Sequence, residues 1–415
     1  MRKKILIIPV QVGLAHLIRS IAIAEELKNK HDVYLTLDNR KKHLFTTNKI
    51  TIIPIEEIGI EGVIEMFDAL KNKEKARIMI DRYTNIIYKI KPDLIINNFS
   101  PAGMAAAWLL NTKQVLIMNS DILPFTSGFP GFFSKPTNFI QKIISWPIGL
   151  FLDWWKRHYI GMVTDLVKLY DKKSLTIDQA LSSIPIIIPE IIEYNHLKKY
   201  LPNFHFVGPI VCKNIEAKDT IFEKKIIKKA HGKKIIYVTF GGTGFGKNVL
   251  KRLVEKLVQK GYFVILATGI IIEVKELKHI TNNLYIKRFV PGFSACHVAD
   301  IIVSHGSYGT VTQALYCGKP IIIIPFNLDQ MFHALKVQEL KVGKGLITIR
   351  PLHFFMDWKA QQKTAENLNP KKVIDAIEEV ITDKKYKNNA ENFSSKLKNL
   401  NGAQKAAKII ENCLN

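Results

Sequence analysis

A chain of 415 residues exceeds what one hydrophobic core usually serves, so two domains of about 200 residues each are expected. With 47% hydrophobic residues and unremarkable glycine and proline content (23 and 17), the composition excludes a disordered or low-complexity protein. The formal charge of +24 is uneven, with 27 basic against 19 acidic residues in 1–212 and 33 against 17 beyond.

Those lysines are scattered over helical segments without a compact arginine-rich patch, which argues against nucleic acid. A solvated surface is the leading reading, and attraction to an anionic membrane surface is the second. The opening "MRKKILIIPVQVGLAH" imitates a secretion signal but runs on into helical and then strand periodicity, so it reads as a first β-strand and its helix. Cys212, Cys296, Cys317 and Cys413 show no paired spacing for zinc or a disulfide framework. The expected location is the cytoplasm, with a peripheral position on the membrane face as the extension of the charge argument.

Apolar strand-like runs then alternate with helices: "KILIIPV", a helix from Ala15 to about Lys28, "DVYLTL", "PDLIINNF", "PAGMAAAWLL" and "QVLIMN". Such near-continuous apolar strands indicate parallel sheets covered on both faces. From Phe125 to Tyr159 the chain holds ten aromatic residues, well above its 10% average. One reading is a loop and helix over the first core. The other is an apolar acceptor pocket, with Phe125, Phe129, Phe132 and Trp146 as contacts, or a membrane-docking surface.

After a lysine-rich linker near 212–233 the pattern restarts with "KKIIYVTF" and continues through "YFVILAT", "NLYIKRF", "DIIVSH" and "KPIIIIPF". The expected domains are 1–212 and 213–395, with residues 396–415 as a helix packing back on the first. The fold class is α/β, with two Rossmann-like doubly wound domains facing across a cleft.

Two glycine-rich loops carry candidate chemistry. Gly241, Gly242, Thr243, Gly244, Gly246 and Lys247 follow a strand and open a helix, a placement that lets backbone N–H groups approach an anion. Gly241, Gly246 and Lys247 fit a P-loop, but Asn248 stands where a magnesium-binding hydroxyl belongs. In the second loop His305 ends a strand, and Gly306, Ser307, Gly309 and Thr310 lead into a helix whose N–H groups suit a diphosphate. Gln313 lies in reach of a ribose hydroxyl, and Asp329 and Gln330 follow the next strand.

The segment "RFVPGFSACHVADIIVSHGSYGTVTQALYCGKPIIIIPFNLDQMFHALKVQELKVG" resembles the donor-binding signature of the UDP-glycosyltransferases, an inverting GT-B superfamily. The likeness extends to "LPNFHFVGPIV", "VTFGGTG" and "GLAHLIRSIAIAEEL". It implies that Gly241, Gly242 and Thr243 line the donor site and that Phe289 and Val290 border the base. It also implies that His305 contacts the diphosphate, Gly306, Ser307, Gly309 and Thr310 cradle it, and Asp329 and Gln330 bind the sugar. Gln313 stands where the family usually has Glu at the ribose, so the choice of uridine over another nucleotide is open. His16 matches the general base, with Arg19 three residues on. Asn97 occupies the slot of the acid that orients the base, and Asp121 is an alternative.

No D-x-D occurs, so no metal is expected and the leaving group would be stabilised by backbone N–H groups and His305. The resemblance implies transfer, with inversion, of a hexose from a nucleotide diphosphate sugar, UDP-sugar first, to an acceptor hydroxyl, with no cofactor beyond the donor; the aromatic stretch from Phe125 to Tyr159 and the basic charge favour a hydrophobic acceptor such as a lipid, sterol or polyketide. The alternatives are a sugar-nucleotide epimerase or hydrolase of the same fold, or a P-loop nucleotidase.

Overall fold

The computed structural model describes the chain outside residues 12–13, 45–47, 56–65, 67–68, 125–152, 155, 159, 175, 196, 198, 212–217, 242–244, 278, 281, 348–362 and 415. It forms two compact units. In their described residues the first comprises Met1–Gly128, Trp146–Ile215 and Leu400–Asn415, and the second Glu216–Asn399.

The first unit runs β1 (Lys4–Pro9), α1 (Ala15–Leu27), β2 (Asp32–Asp38), β3 (Ile50–Ile55), α2 (Lys73–Ile90) and β4 (Leu94–Asn98). It continues with α3 (Pro101–Leu109), β5 (Gln114–Ile117), α4 (Ile177–Ser183), β6 (Ile186–Ile188) and β7 (Phe204–Phe206). The described strands form one sheet in the order β3-β2-β1-β4-β5-β6-β7, and every pairing is parallel. Strand periodicity sorts its side chains: Ile5, Ile7, Leu94, Ile96, Val115 and Ile117 share a core with Leu17 and Ile21 of α1. Leu6, Ile8, Ile95 and Leu116 point the other way, toward Ile80 of α2 and Ala105 of α3.

The second unit contains α5 (Thr220–Ala230), β8 (Ile235–Thr239), α6 (Lys247–Gln259), β9 (Phe263–Ala267), β10 (Leu284–Lys287) and α7 (Gly292–Val298). Then come β11 (Ile301–Ser304), α8 (Tyr308–Tyr316), β12 (Ile321–Ile323), α9 (Leu328–Glu339), β13 (Gly343–Gly345), α10 (Pro370–Thr382) and α11 (Lys384–Lys398). The described strands, again all parallel, are ordered β10-β9-β8-β11-β12-β13. Both sheets are doubly wound, as the alternation of apolar strands and helices predicts.

The last helix, α12 (Gly402–Asn412), belongs to the first unit and buries Ala406 and Ile410 in the α1 core. Glycine is required at its start because a Cβ on Gly402 would lie 2.2 Å from the Pro209 carbonyl oxygen. No helix among the described residues is long and apolar enough to cross a membrane. In each sheet the strand order reverses once, between β1 and β4 and between β8 and β11. Ligands of open parallel sheets bind beyond the carboxyl ends of strands at such a reversal, so the loops after these four strands are where chemistry is expected.

Candidate active site

In the first unit the reversal holds His16, the second residue of α1, and Asn98, the last of β4. His16 Nδ1 lies 3.0 Å from Asn98 Oδ1. The Asn98 amide orientation is fixed because its Nδ2 donates to the His16 carbonyl at 2.8 Å and to Ser20 Oγ at 3.0 Å. Its Oδ1 therefore faces the imidazole as an acceptor, Nδ1 carries the proton, and Nε2 keeps its lone pair. Arg19 Nη2 sits 3.2 Å from the same Nδ1; with Nδ1 carrying the proton of the neutral ring that contact sets two donors against each other, and Arg19 donates through Nη1 to Asn119 Oδ1 at 2.7 Å. Burial first, and then the Arg19 charge, push the His16 pKa down to about 3 against the opposing pull of Asn98. Phe99 stacks on the imidazole at 5.7 Å with its backbone in the left-handed region, φ 60°, a conformation that costs a bulky residue about 1–2 kcal/mol.

The expected partner Asn97 is corrected by this geometry. Neighbouring strand residues point to opposite faces, and Asn97 lies on the face away from α1, where its Oδ1 accepts from the Ser100 N–H at 2.8 Å. Asp121 is not the partner either; it sits in a buried charged cluster beyond β5 and β6. There Glu190 accepts from the Ser120 N–H at 3.1 Å and from its hydroxyl, and Lys156 Nζ donates to the Leu123 carbonyl at 3.3 Å. Burial, then Asp121, raise Glu190 to about 8. Burial lowers Lys156 to about 7 despite Asp121, Asp153 and Glu190.

In the second unit the reversal brings Gly241 against His305: Gly241 has φ 64°, and a Cβ there would come within 2.8 Å of the imidazole Cε1. His305 is 2% exposed, and its Nδ1 has no hydrogen-bond partner among the described residues. Burial, and to a lesser degree His333, hold its pKa down to about 4, with the Thr239 main chain opposing. Gly306 adopts φ 91° and its N–H bonds Ser304 Oγ at 3.0 Å. Ser307 is the N-cap of α8 but makes no side-chain cap bond; its Oγ donates to Thr310 Oγ1 at 3.1 Å instead. The start of α8, with Gly309 in its first turn, thus offers N–H groups beside a buried imidazole, a combination suited to an anion.

Gln313 is half-buried, its Oε1 3.1 Å from where a Gly292 Cβ would stand. Phe289 is 68% exposed with Arg288 Cζ 5.7 Å from its ring centroid, and Val290 is half-buried. Asp329 is exposed in the first turn of α9, whereas Gln330 turns inward and accepts the Phe326 N–H at 2.8 Å. The sequence reading missed His333, buried on α9 four residues after Asp329 with its ring 5.7 Å from Tyr308. Helical spacing was the signal, since i and i+4 share a face. Gly242 and Thr243, and the acceptor candidates Phe125, Phe129, Phe132 and Trp146, lie outside the described residues.

The first glycine loop departs from a P-loop in a second way. Glu366 accepts hydrogen bonds from the backbone N–H groups of Gly246, Lys247 and Asn248, the last two at 3.1 and 2.9 Å. A carboxylate of the chain itself occupies the N-terminus of α6, and Lys247 pairs with Glu276 at 3.1 Å.

With this geometry in place, comparison with known proteins is specific. Residues 235–348 match the model of the glycosyltransferase family 28 C-terminal domain. The chain is 24% identical to a PGL/p-HBAD biosynthesis glycosyltransferase of Mycobacterium tuberculosis over 93% of its length and 86% of the relative's. It is 25% identical to an uncharacterized glycosyltransferase of Methanosarcina mazei over 98% of both chains. Among solved structures, the glycotransferase of kitacinnamycin superposes with a TM-score of 0.72 at 16% identity, covering all of both chains. The glycosyltransferase VinC, in complex with DTDP, does so at 0.66 and 15%, covering 99% of each. The likeness to these solved structures shows the fold: the chain has the GT-B glycosyltransferase fold.

Two expectations follow from Glu366 and Glu190. Replacing Glu366 by Ala should destabilise the protein by about 1–2 kcal/mol in urea unfolding, because three backbone donors lose a charged acceptor; an unchanged midpoint would show that the cap is dispensable. Glu190 carries a proton in the folded state up to about pH 8 but loses it near the ordinary carboxyl value of 4.5 when unfolded. Between about pH 4.5 and 7, below the Lys156 transition, Glu190 by itself therefore makes stability fall by about 1 kcal/mol per unit as pH rises, set against the rise that His16 and His305 contribute up to 6.5 because burial keeps both neutral in the folded state. Wild type should therefore lose stability relative to Glu190→Gln by about 1 kcal/mol per unit over that range, and parallel wild-type and variant curves would contradict the assignment.

Proposed function

We propose that the protein is an inverting hexosyltransferase that uses a nucleotide diphosphate sugar, with UDP-sugar first, and glycosylates a hydroxyl of a hydrophobic acceptor without a metal. The observation that carries this reading is His16, with Nδ1 anchored on Asn98 and Nε2 left to take a proton. The acceptor oxygen attacks the anomeric carbon from the face opposite the leaving group, the bond to the diphosphate oxygen breaks, and its electron pair departs with the diphosphate. The acceptor proton passes to Nε2. A base with so low a pKa suits late transfer, once the attacking oxygen has become a strongly acidic oxonium.

Developing charge on the diphosphate is met by the N–H groups at the start of α8, fixed donors that need no reorganisation, and by His305 once the anion's charge has raised its pKa and protonated the second ring nitrogen. That cradle, with the lack of a D-x-D pair in the sequence, supports metal independence. Phe289 offers an open aromatic face to a base, and Gln313 a ribose contact in place of the usual carboxylate. Because VinC was solved with DTDP, thymidine donors belong in the same test. A hydrophobic acceptor is supported by the aromatic composition of 125–159 and by relatives assigned to PGL/p-HBAD biosynthesis. The net charge of +24 fits action in the cytoplasm at an anionic membrane face.

His16→Ala should lower kcat by about 10²–10⁴-fold with donor affinity unchanged, and Asn98→Ala should lower it less. Since the reactive form of His16 is the neutral one, present above its pKa of about 3, this group should leave the rate flat between about pH 5 and 8. A His16→Ala enzyme as fast as wild type would remove the base. Donor consumption at full rate without acceptor would favour the epimerase or hydrolase alternative.

A further inference from the structure

We infer that Glu190 is a positioning residue for His16, acting through Ser120, Asn119 and Arg19 on the strength of the imidazole as a base. All four are buried, in the first unit, beside the ends of β5 and β6. His16 and Arg19 share one face of α1 at i and i+3, which sets Arg19 Nη2 3.2 Å from His16 Nδ1. Arg19 Nη1 is held by Asn119 Oδ1 at 2.7 Å. Asn119 begins a turn, its carbonyl accepting the Ile122 N–H at 3.3 Å. Inside that turn Ser120 is pinned twice by Glu190, which accepts its N–H at 3.1 Å and its hydroxyl. Glu190 thus fixes the turn that aims Asn119 at the guanidinium, and the charge on Glu190 governs how much of the guanidinium field reaches the imidazole.

Buried ions lose hydration that apolar residues of equal volume never need, and here the charged chain ends on the imidazole. With Glu190 protonated, burial and then Arg19 hold the His16 pKa down. When Glu190 ionises, at about 8, its carboxylate offsets the guanidinium. The His16 pKa then rises, and the ring stays neutral but becomes a stronger base. The coupling is mutual, since Arg19 favours the Glu190 carboxylate while Asp121 disfavours it. Lys156, acted on by Asp121, Asp153 and Glu190, loses its own proton at about 7. That step remains when residue 190 is made neutral, so comparison with Glu190→Gln isolates the carboxylate.

The test is an NMR titration of the full chain with isotope-labelled histidine, the His16 ring being the signal absent from His16→Ala. In wild type the His16 ring nitrogens should shift with a midpoint near 8. The shift should vanish in Glu190→Gln, which keeps an acceptor for Ser120, and fall to less than half in Arg19→Gln. The effect on rate rests on the base role proposed above: kcat should climb about two- to fivefold across that midpoint in wild type and stay level in Glu190→Gln. Asn119→Asp, which sets a permanent carboxylate on Arg19, should raise kcat at pH 7 and shrink the step. An undiminished ring shift in Glu190→Gln or in Arg19→Gln, or no shift in wild type, would overturn the inference. Ring shifts that follow Glu190 in a protein whose His16→Ala variant is as fast as wild type would uphold the coupling and remove only the base role.

Discussion

Parallel pairing is the constraint on which the site depends. When every described strand of a sheet runs the same way, all carboxyl ends fall on one edge, and helices that cover both faces begin there with their N–H groups unpaired. The order reverses at β1/β4 and at β8/β11, and at those two places a helix start, a histidine and small or amide residues meet. His16 with Asn98 in one sheet, and Gly241 with His305 in the other, occupy the same architectural position.

The two histidines illustrate how burial sets function. Both are pushed toward the neutral form, to about 3 and about 4, because desolvation penalises the cation more than a neutral hydrogen bond can offset. Neutrality at His16 leaves a lone pair on Nε2. At His305 it leaves Nδ1 without a hydrogen-bond partner among the described residues, close to the N-terminus of α8. Glu190 and Lys156 obey the same rule from the acid and base sides, each drawn toward its neutral state in a buried cluster.

Much of this was legible in the sequence, since continuous apolar runs such as Lys4–Pro9 and Ile235–Thr239 can be little other than strands buried on both faces. His16, Gly241 and the segment from His305 to Thr310 were legible because small residues and a histidine directly after such runs have few structural reasons to be there. Asn98 was read one residue off because adjacent amides in "IINNF" differ only in parity. The parity could have been set by matching Leu94 and Ile96 to the α1 face. Glu366 was not legible at all, being 118 residues from Asn248 in the chain and linked to it only by tertiary folding.

The central claim is that backbone N–H groups and His305, rather than a metal, hold the leaving diphosphate. Calorimetric titration of UDP and dTDP into the protein in EDTA, with wild type beside His305→Ala, addresses it most directly. The account predicts that at least one of the two nucleotides binds without metal and that His305→Ala weakens it by about tenfold or more, as expected for loss of a charge-assisted contact of about 1.5–3 kcal/mol. Binding only when magnesium is restored, or equal affinity for the His305→Ala protein, would contradict it.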